Sequence, residues 1–515
     1  MQGSVLRARW TIGCLVVTMT VVAGHAVAQS AASADARLLG AVQAGDRVLA
    51  RTLVQQGIDV NAAEADGTTA LHWAAYRGDT ETTQLLIRAG AAVEAENRYG
   101  VTALTLACTR GAASVVEALL RAGAEANASS PDGEPVLMTA ARSGNVDVLR
   151  ALVTQGANVH AVEAWRGQTA VMWAAAENHA LALRFLVEQG ADIHVRSSGG
   201  FTALMFAVRG GRADAVRTLL SLGANVNDTI QPATEPEEPV GFGFVQTGPQ
   251  VGSSALALAI TNAHFELAIY LLEQGADPNA TDQGWTGLHQ LAYTRRPNQG
   301  KGLAPPEPTG NVGSLDLARA LLAHGANVNA RQTKEIRDGN RNLLRRVGAT
   351  PFLLAAKHAD VPLMRLLADH GADPQVPTEQ GATPLMVAAG VGIFNPGESA
   401  GTNEEAFEAV TLAYALGDTD VNAVDAGGYT ALHGAALRGA NPIAQFLVDK
   451  GAVLDAQTKR EGWTPLRIAS GVLYTGTVKR ADHTAELLLQ LMRARGLSVD
   501  AEAVNSVAEP PPRRR

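Results

Sequence analysis

The 515-residue chain predicts an all-α repeat solenoid of about twelve stacked helix–turn–helix units, joined by short extended or hairpin connections. Three observations point there. Glycines at 57, 90, 123, 156, 190 and 223 stand 33 or 34 residues apart, and the series continues through Gly275, Gly325, Gly371, Gly417, Gly451 and Gly496 with longer gaps. A second motif keeps phase with them, as Thr69-Ala70-Leu71-His72-Trp73-Ala74-Ala75, Thr383-Pro384-Leu385-Met386-Val387-Ala388-Ala389 and Thr430-Ala431-Leu432-His433-Gly434-Ala435-Ala436. Aromatics make up only 4% of a chain that is 46% hydrophobic, a mixture of small and aliphatic side chains suited to closely packed helices. A fixed period of this length marks a linear array of like units, none of which buries its apolar face alone.

Within one period the elements follow in order. Thr starts the first helix by accepting from unsatisfied N–H groups of its first turn, and Pro suits the position after it, as at Pro384. Leu and the Ala pair share one face, small enough for a neighbouring helix to approach. A short turn follows, as at Arg77-Gly78 and Arg110-Gly111. The second helix carries apolar residues at helical spacing, as in Val115-Val116-Glu117-Ala118-Leu119-Leu120. Gly ends it, because glycine enters left-handed backbone without a Cβ clash. An extended stretch such as Asp59-Val60-Asn61-Ala62 then leads through a glycine turn to the next Thr. The first unit, Asp35 to Gln56, mixes Arg37, Gln43, Asp46 and Arg47 among its apolar positions and reads as a cap with one wet face. The last, Thr464 to Gly496, has Arg467 where other units often have His or Met.

These motifs, at this period, resemble the ankyrin repeat family across nearly all of residues 35–500. The resemblance implies that His72, His289 and His433, which share one phase, are structural and bond backbone near the turn. It also implies that protein partners bind through variable positions on the concave side: the turn tips before each Thr, and the residues just after the Ala pair. The tips map to Arg98, Tyr99, Trp165, Arg166, Phe201, Trp285, Tyr429 and Trp463. The second set maps to Tyr76, Arg77 and Arg110, with Arg142, Lys357 and Arg438. Arg and aromatic residues are the types enriched in binding hot spots. They would form a locally basic ridge on an acidic body.

Five insertions interrupt the period. Asp228–Ser253 and Arg331–Ala349 lengthen connections between units, whereas Thr294–Ser314, Val391–Asn403 and Val472–Asp482 lengthen the helix–helix turns of units eight, ten and twelve. The resemblance implies that the two kinds lie at opposite edges of the solenoid. The three enlarged turns alternate with short ones along one edge and are expected to pack over them. The first insertion holds Pro232, Pro236, Pro239 and Pro249, acidic Glu235, Glu237 and Glu238, and Gly241-Phe242-Gly243-Phe244, which could form a flexible hairpin. Five segments result: a signal peptide 1–28, a regular repeat block 29–227, the Pro/Glu/Gly-Phe insertion 228–253, a C-terminal repeat block with long inserted loops 254–500, and a disordered tail 501–515.

The leader rests on Arg7 and Arg9, an apolar run from Trp10 to Ala23, and the small-x-small pattern Ala26-Val27-Ala28 before Gln29. Its apolar run falls short of the roughly 20 residues that span a bilayer. The mature chain is therefore expected outside the cytoplasm, periplasmic or secreted, with no membrane segment once the leader is removed. Cys108 is then the remaining cysteine of the two in the chain, so no internal disulfide forms, and its apolar helix pattern makes it a buried, inert thiol. Net charge is −8, or −10 after loss of the two leader arginines, which disfavours nucleic acid as a partner.

Tests for chemistry fail. His residues recurring at the repeat period form no His-Glu-x-x-His cluster, and no Cys-x-x-Cys occurs. Gly300-Lys301-Gly302 lacks the rest of a phosphate loop, and Gly241-Phe242-Gly243 lacks the third glycine of a dinucleotide loop. No catalytic residue, metal ligand or cofactor is assigned. The expected function is an exported, monomeric, noncatalytic scaffold that binds a protein partner through the concave face and turn tips. Two alternatives are an inhibitor or protective partner of an exported enzyme, and an enzyme with its site in the C-terminal inserted loops.

Overall fold

The computed structural model describes residues 34–231, 251–296, 306–335, 343–393, 400–474 and 477–499. The expected leader, the tail and the Gly-Phe stretch 241–244 lie outside the described residues. Among those described, twenty-four helices form consecutive pairs, from Ala34–Ala44 and Arg47–Gln55 to Pro465–Ser470 and Asp482–Ala494. First helices pack on first helices and second on second, in two parallel rows. The Ala pairs explain the first row. Ala74-Ala75, Ala140-Ala141, Ala174-Ala175 and Ala355-Ala356 are fully buried, so helix axes approach closely. Bulkier residues such as Leu119, Leu152 and Leu367 fill the second row. The first row is the more closely packed of the two.

The repeated motifs acquire specific bonds. Thr69, Thr102, Thr169, Thr350, Thr383, Thr430 and Thr464 each cap a first helix by accepting the backbone N–H three residues on. Each such cap is worth about 1 kcal/mol. In His72, His289 and His433, Nδ1 faces both the backbone N–H and the hydroxyl of the cap Thr. The Nε2 edge bonds the carbonyl of Val101, Ala349 or Trp463 at 2.8, 3.0 and 3.0 Å. Each ring thus ties its own cap to the connection that follows, as the resemblance implies. Accepting at Nδ1 and donating at Nε2 describes a neutral imidazole, and burial holds it so, pushing His289 and His433 down to about 4.

The Asn of the glycine motif forms a second ladder. Asn61, Asn127, Asn227, Asn279, Asn329 and Asn422 each donate Nδ2 to the anchor-glycine carbonyl of the next unit. The same side chains accept a backbone N–H from that unit through Oδ1. Adjacent connections also join directly, as in Arg98 N–H to Asp66 O at 2.6 Å and Ser198 N–H to Arg166 O at 2.7 Å. Nearest-neighbour bonds of this kind are what a one-dimensional array needs. Cys108 is buried, and burial pushes its thiol up out of the reactive range. The all-α reading needs one addition: strands Val472–Tyr474 and Thr477–Lys479 pair antiparallel inside the insertion of the twelfth unit.

Candidate protein-binding face

First helices and connection tips of units two to six carry a series of arginines stacked on aromatic rings. The Arg98 guanidinium lies 5.0 Å from the Tyr99 ring centre and Arg110 lies 5.5 Å from Tyr76. Arg142 lies 4.9 Å from Trp173, and Arg166 lies 4.3 Å from Trp165. Arg209 lies within 5.3 Å of both Phe201 and Phe206, themselves 5.6 Å apart. Trp165 is 74% exposed, and Tyr76 and Tyr99 are exposed as well. Burial lowers the Arg209 pKa, and the nearby charge of Arg166 lowers it further. Nearby acids are largely occupied. Glu64 accepts from Trp73 Nε1, Glu134 pairs with Arg142 at 2.7 Å, and Glu163 accepts the backbone N–H groups of Trp165, Arg166 and Gln168.

The other expected contact residues divide. Arg77 is exposed, and its Nη1 donates to the Gln43 carbonyl at 3.0 Å. Phe201 and Tyr429 are partly buried, the latter edge-on to His433. Trp285 and Trp463 are corrected: they are 3% and 5% exposed and pad the interior. Trp285 Nε1 donates to Gln290 Oε1 at 2.8 Å. Both tryptophans stand immediately before their cap Thr, a position also buried at Thr68, Gln168, Ala349 and Ala382, whereas the exposed Trp165 stands four residues before Thr169. Arg438 is buried too, donating to Asn403 Oδ1 and to the carbonyls of Gly401 and Thr402. Trp173, Phe206 and Arg209 were missed in the sequence. Their signal was position: Trp173 and Phe206 each stand four residues after a cap Thr, on the exposed side of a first helix, with Arg209 one turn further.

The C-terminal half is arranged differently. Arg295, at the start of the eighth unit's insertion, grips Asp360 in the ninth turn through Nε at 2.6 Å and Nη2 at 2.9 Å. Arg296 donates to the Ala359 carbonyl at 2.9 Å and to Glu405 of the tenth unit at 2.7 Å, holding the Glu405 carboxyl below its usual range. The described ends of these insertions therefore pack over the intervening turn. The expectation that the two kinds of insertion stay at opposite edges is overturned. Leu343, from the connection after unit eight, donates its N–H to Gly392 O at 3.0 Å in the enlarged turn of unit ten. Residues 343–348 thus strap across the first helices. A cleft of about 210 Å³ lies beside the strap, lined by Leu344, Val391 and Leu437 with Thr378, Asp425 and Tyr429. Among the described residues no group of three His, Cys, Asp or Glu side chains could hold a metal ion, and no helix is long and apolar enough to cross a membrane.

Comparison with known proteins gives consistent matches. A family model described as ankyrin repeats (3 copies) matches residues 38–130, 137–230 and 309–395. A second, ankyrin repeats (many copies), matches residues 412–469, and a single-repeat model matches 251–283. The mouse B-cell lymphoma 3 protein homolog is 31% identical over 27% of this chain and 24% of its own length. The Caenorhabditis elegans ankyrin repeat and LEM domain-containing protein 1 homolog is 39% identical over 15% of this chain and 9% of its own. The chain therefore spans a quarter or less of these curated relatives. The crystal structure of the human ASB11 ankyrin repeat domain aligns with a TM-score of 0.38 at 25% identity, covering 47% of this chain and 98% of that one.

Proposed function

The chain belongs to the ankyrin repeat family, whose members generally mediate protein–protein interaction, and on that premise we propose that it is an exported, noncatalytic docking scaffold. The observation that carries the reading is the exposed Trp165 with Arg166 stacked on it, continuous with Arg–aromatic pairs from units two to six. Such pairs combine large contact area with little side-chain entropy left to lose. The partner binds this face as to a rigid surface, and the strapped C-terminal half serves as the anchor. Export is supported by the leader pattern of residues 1–28, and the scaffold is proposed to act as a monomer.

The test is affinity capture from an extracytoplasmic extract with the full chain and with a Tyr99→Ala/Trp165→Ala variant. A partner held by the first and lost by the second is expected. Equal retention by both sinks the assignment of this face. N-terminal sequencing of the exported chain should begin at Gln29.

A further inference from the structure

We propose that the solenoid is hinged between its sixth and seventh units, so that units one to six swing as one arm against the riveted C-terminal block. The hinge stands on the stack itself. Joined to the docking reading above, it makes the angle between the Trp165 face and the C-terminal half adjustable.

The second row of helices is interrupted at one place. Ala213–Ser221 of the sixth unit and Phe265–Glu273 of the seventh barely meet, whereas second helices pack on each other at every other junction. The side chains at a contact set the spacing of helix axes. Here Arg217 lies 5.4 Å from the Tyr270 ring centre, a long cation over a large ring, and the same exposed Arg217 pairs with Asp214 of its own helix. The connections are loosened at this junction too. Backbone bonds between adjacent connections measure 2.6 to 2.8 Å where Arg98, Ser198, Ala426 and Lys459 donate. Between the sixth and seventh units the corresponding bond, from Gln231 N–H to Gly200 O, is 3.4 Å long.

Two tethers remain, one at each end of the seventh unit's second helix. At its start His264 Nε2 donates to the Arg209 carbonyl at 3.1 Å. Past its end Asn227 donates to Gly275 O at 3.1 Å and accepts the Asp277 N–H at 2.8 Å. The line through both tethers runs along the helix. Rotation about it opens or closes the gap at Arg217 and so changes the curvature of the stack. Arg196 can follow such a motion, because it reaches the Thr229 carbonyl and Asp228 through a long side chain.

Bending is resisted on both sides. In the arm, buried Ala pairs hold the first helices together. In the block, the insertion of the eighth unit reaches backward as well as forward. Thr309 donates its N–H to Ala263 O at 3.1 Å, and Asn311 donates its own to Glu266 Oε1 at 2.8 Å. Arg295 and Arg296 hold Asp360 and Glu405 at its other end. Units seven to ten are thus clamped together, and motion collects at the loosely packed junction next to the clamp.

Double electron–electron resonance between pairs of spin labels tests this in the full chain carrying Cys14→Ser; Cys108 is buried and takes no label. Labels go on exposed second-helix positions: Arg184→Cys with Arg319→Cys across the hinge, Arg88→Cys with Arg184→Cys within the arm, and Arg319→Cys with Asp449→Cys within the block. Each pair spans three junctions of about 8–10 Å, so the labels' own freedom contributes alike. The crossing pair should give a distance distribution about two-fold broader than either control. Asn227→Ala, which cuts one tether, should broaden the crossing pair further and leave the controls unchanged. His264→Ala, at the other tether, gives the same readout if Asn227→Ala disturbs the controls. Equal widths for all three pairs overturn the hinge. An arm pair as broad as the crossing pair overturns it too, since bending is then shared along the array. A crossing pair indifferent to loss of either tether overturns the axis and the proposal with it. No partner takes part in the measurement, so its failure leaves the docking reading standing, and failure of partner capture leaves the hinge standing.

Discussion

Gly390 and Gly434 lie against each other across the tenth and eleventh units. A Cβ on Gly390 would stand 2.7 Å from the Gly434 carbonyl oxygen, and one on Gly434 would stand 2.6 Å from the Val391 backbone nitrogen. This mutual approach lets the enlarged turn of unit ten lie across the first helix Ala431–Arg438 and meet the strap at Leu343. In an ordinary helix, Gly→Ala stabilises by about 1 kcal/mol. Gly434→Ala should instead lower the urea midpoint, through overpacking worth about 1–3 kcal/mol. Gly40→Ala, in a first helix with nothing within 4 Å of the added carbon, should raise it.

Asp360 is almost wholly buried and receives two bonds from Arg295. Removing one partner of a buried pair leaves an uncompensated charge, at a cost of about 3–5 kcal/mol. Asp360→Ala should therefore destabilise the eighth to tenth units more than Arg319→Ala, whose partner Asp316 is exposed. Hydrogen exchange resolved by segment would show the loss centred on residues 351–369.

Acid should loosen the stack through its buried histidines. Their pKa in the folded chain is depressed by burial, to about 4 for His289 and His433, below an unfolded value of about 6.5. The unfolded chain then binds protons that the folded one excludes. Stability is complete above the unfolded value and falls as pH drops from about 6.5 to about 4. His433→Gln should be less stable at neutral pH yet show a flatter dependence across that window in urea titrations.

Asn279 joins the seventh and eighth units through Gly325 O at 2.8 Å and the Asn327 N–H at 2.7 Å. Asn279→Ala should lose about 1–2 kcal/mol. Asn279→Asp keeps the acceptor and loses the donor, and should fall between. Denaturant midpoints order the three chains.

Trp165 and Trp463 should separate binding from stability. Trp463→Ala empties an interior site, at a cost of about 3–5 kcal/mol. Trp165→Ala should leave the unfolding free energy within about 0.5 kcal/mol of the parent and abolish partner capture.

The sequence by itself determined the repeat. Its period, the Thr caps, the helix-stopping glycines and the Ala pairs are local demands of backbone geometry, and each unit meets them in its own residues or its neighbour's. The same locality made Tyr99 and Trp165 readable as exposed tip residues. Tertiary structure alone decided which repeat positions remain open. Trp285 and Trp463, each one residue before its cap Thr, are buried, whereas Trp165, four residues before its own, is exposed. Arg438 shares the phase of Arg110 but is covered by residues 401–403. The meeting of Leu343 with Gly392 spans 49 residues and two edges of the stack, and no periodic pattern encodes it. Repetition specifies contacts between neighbours, whereas insertions reach across several units, and where they land depends on the finished shape of the solenoid.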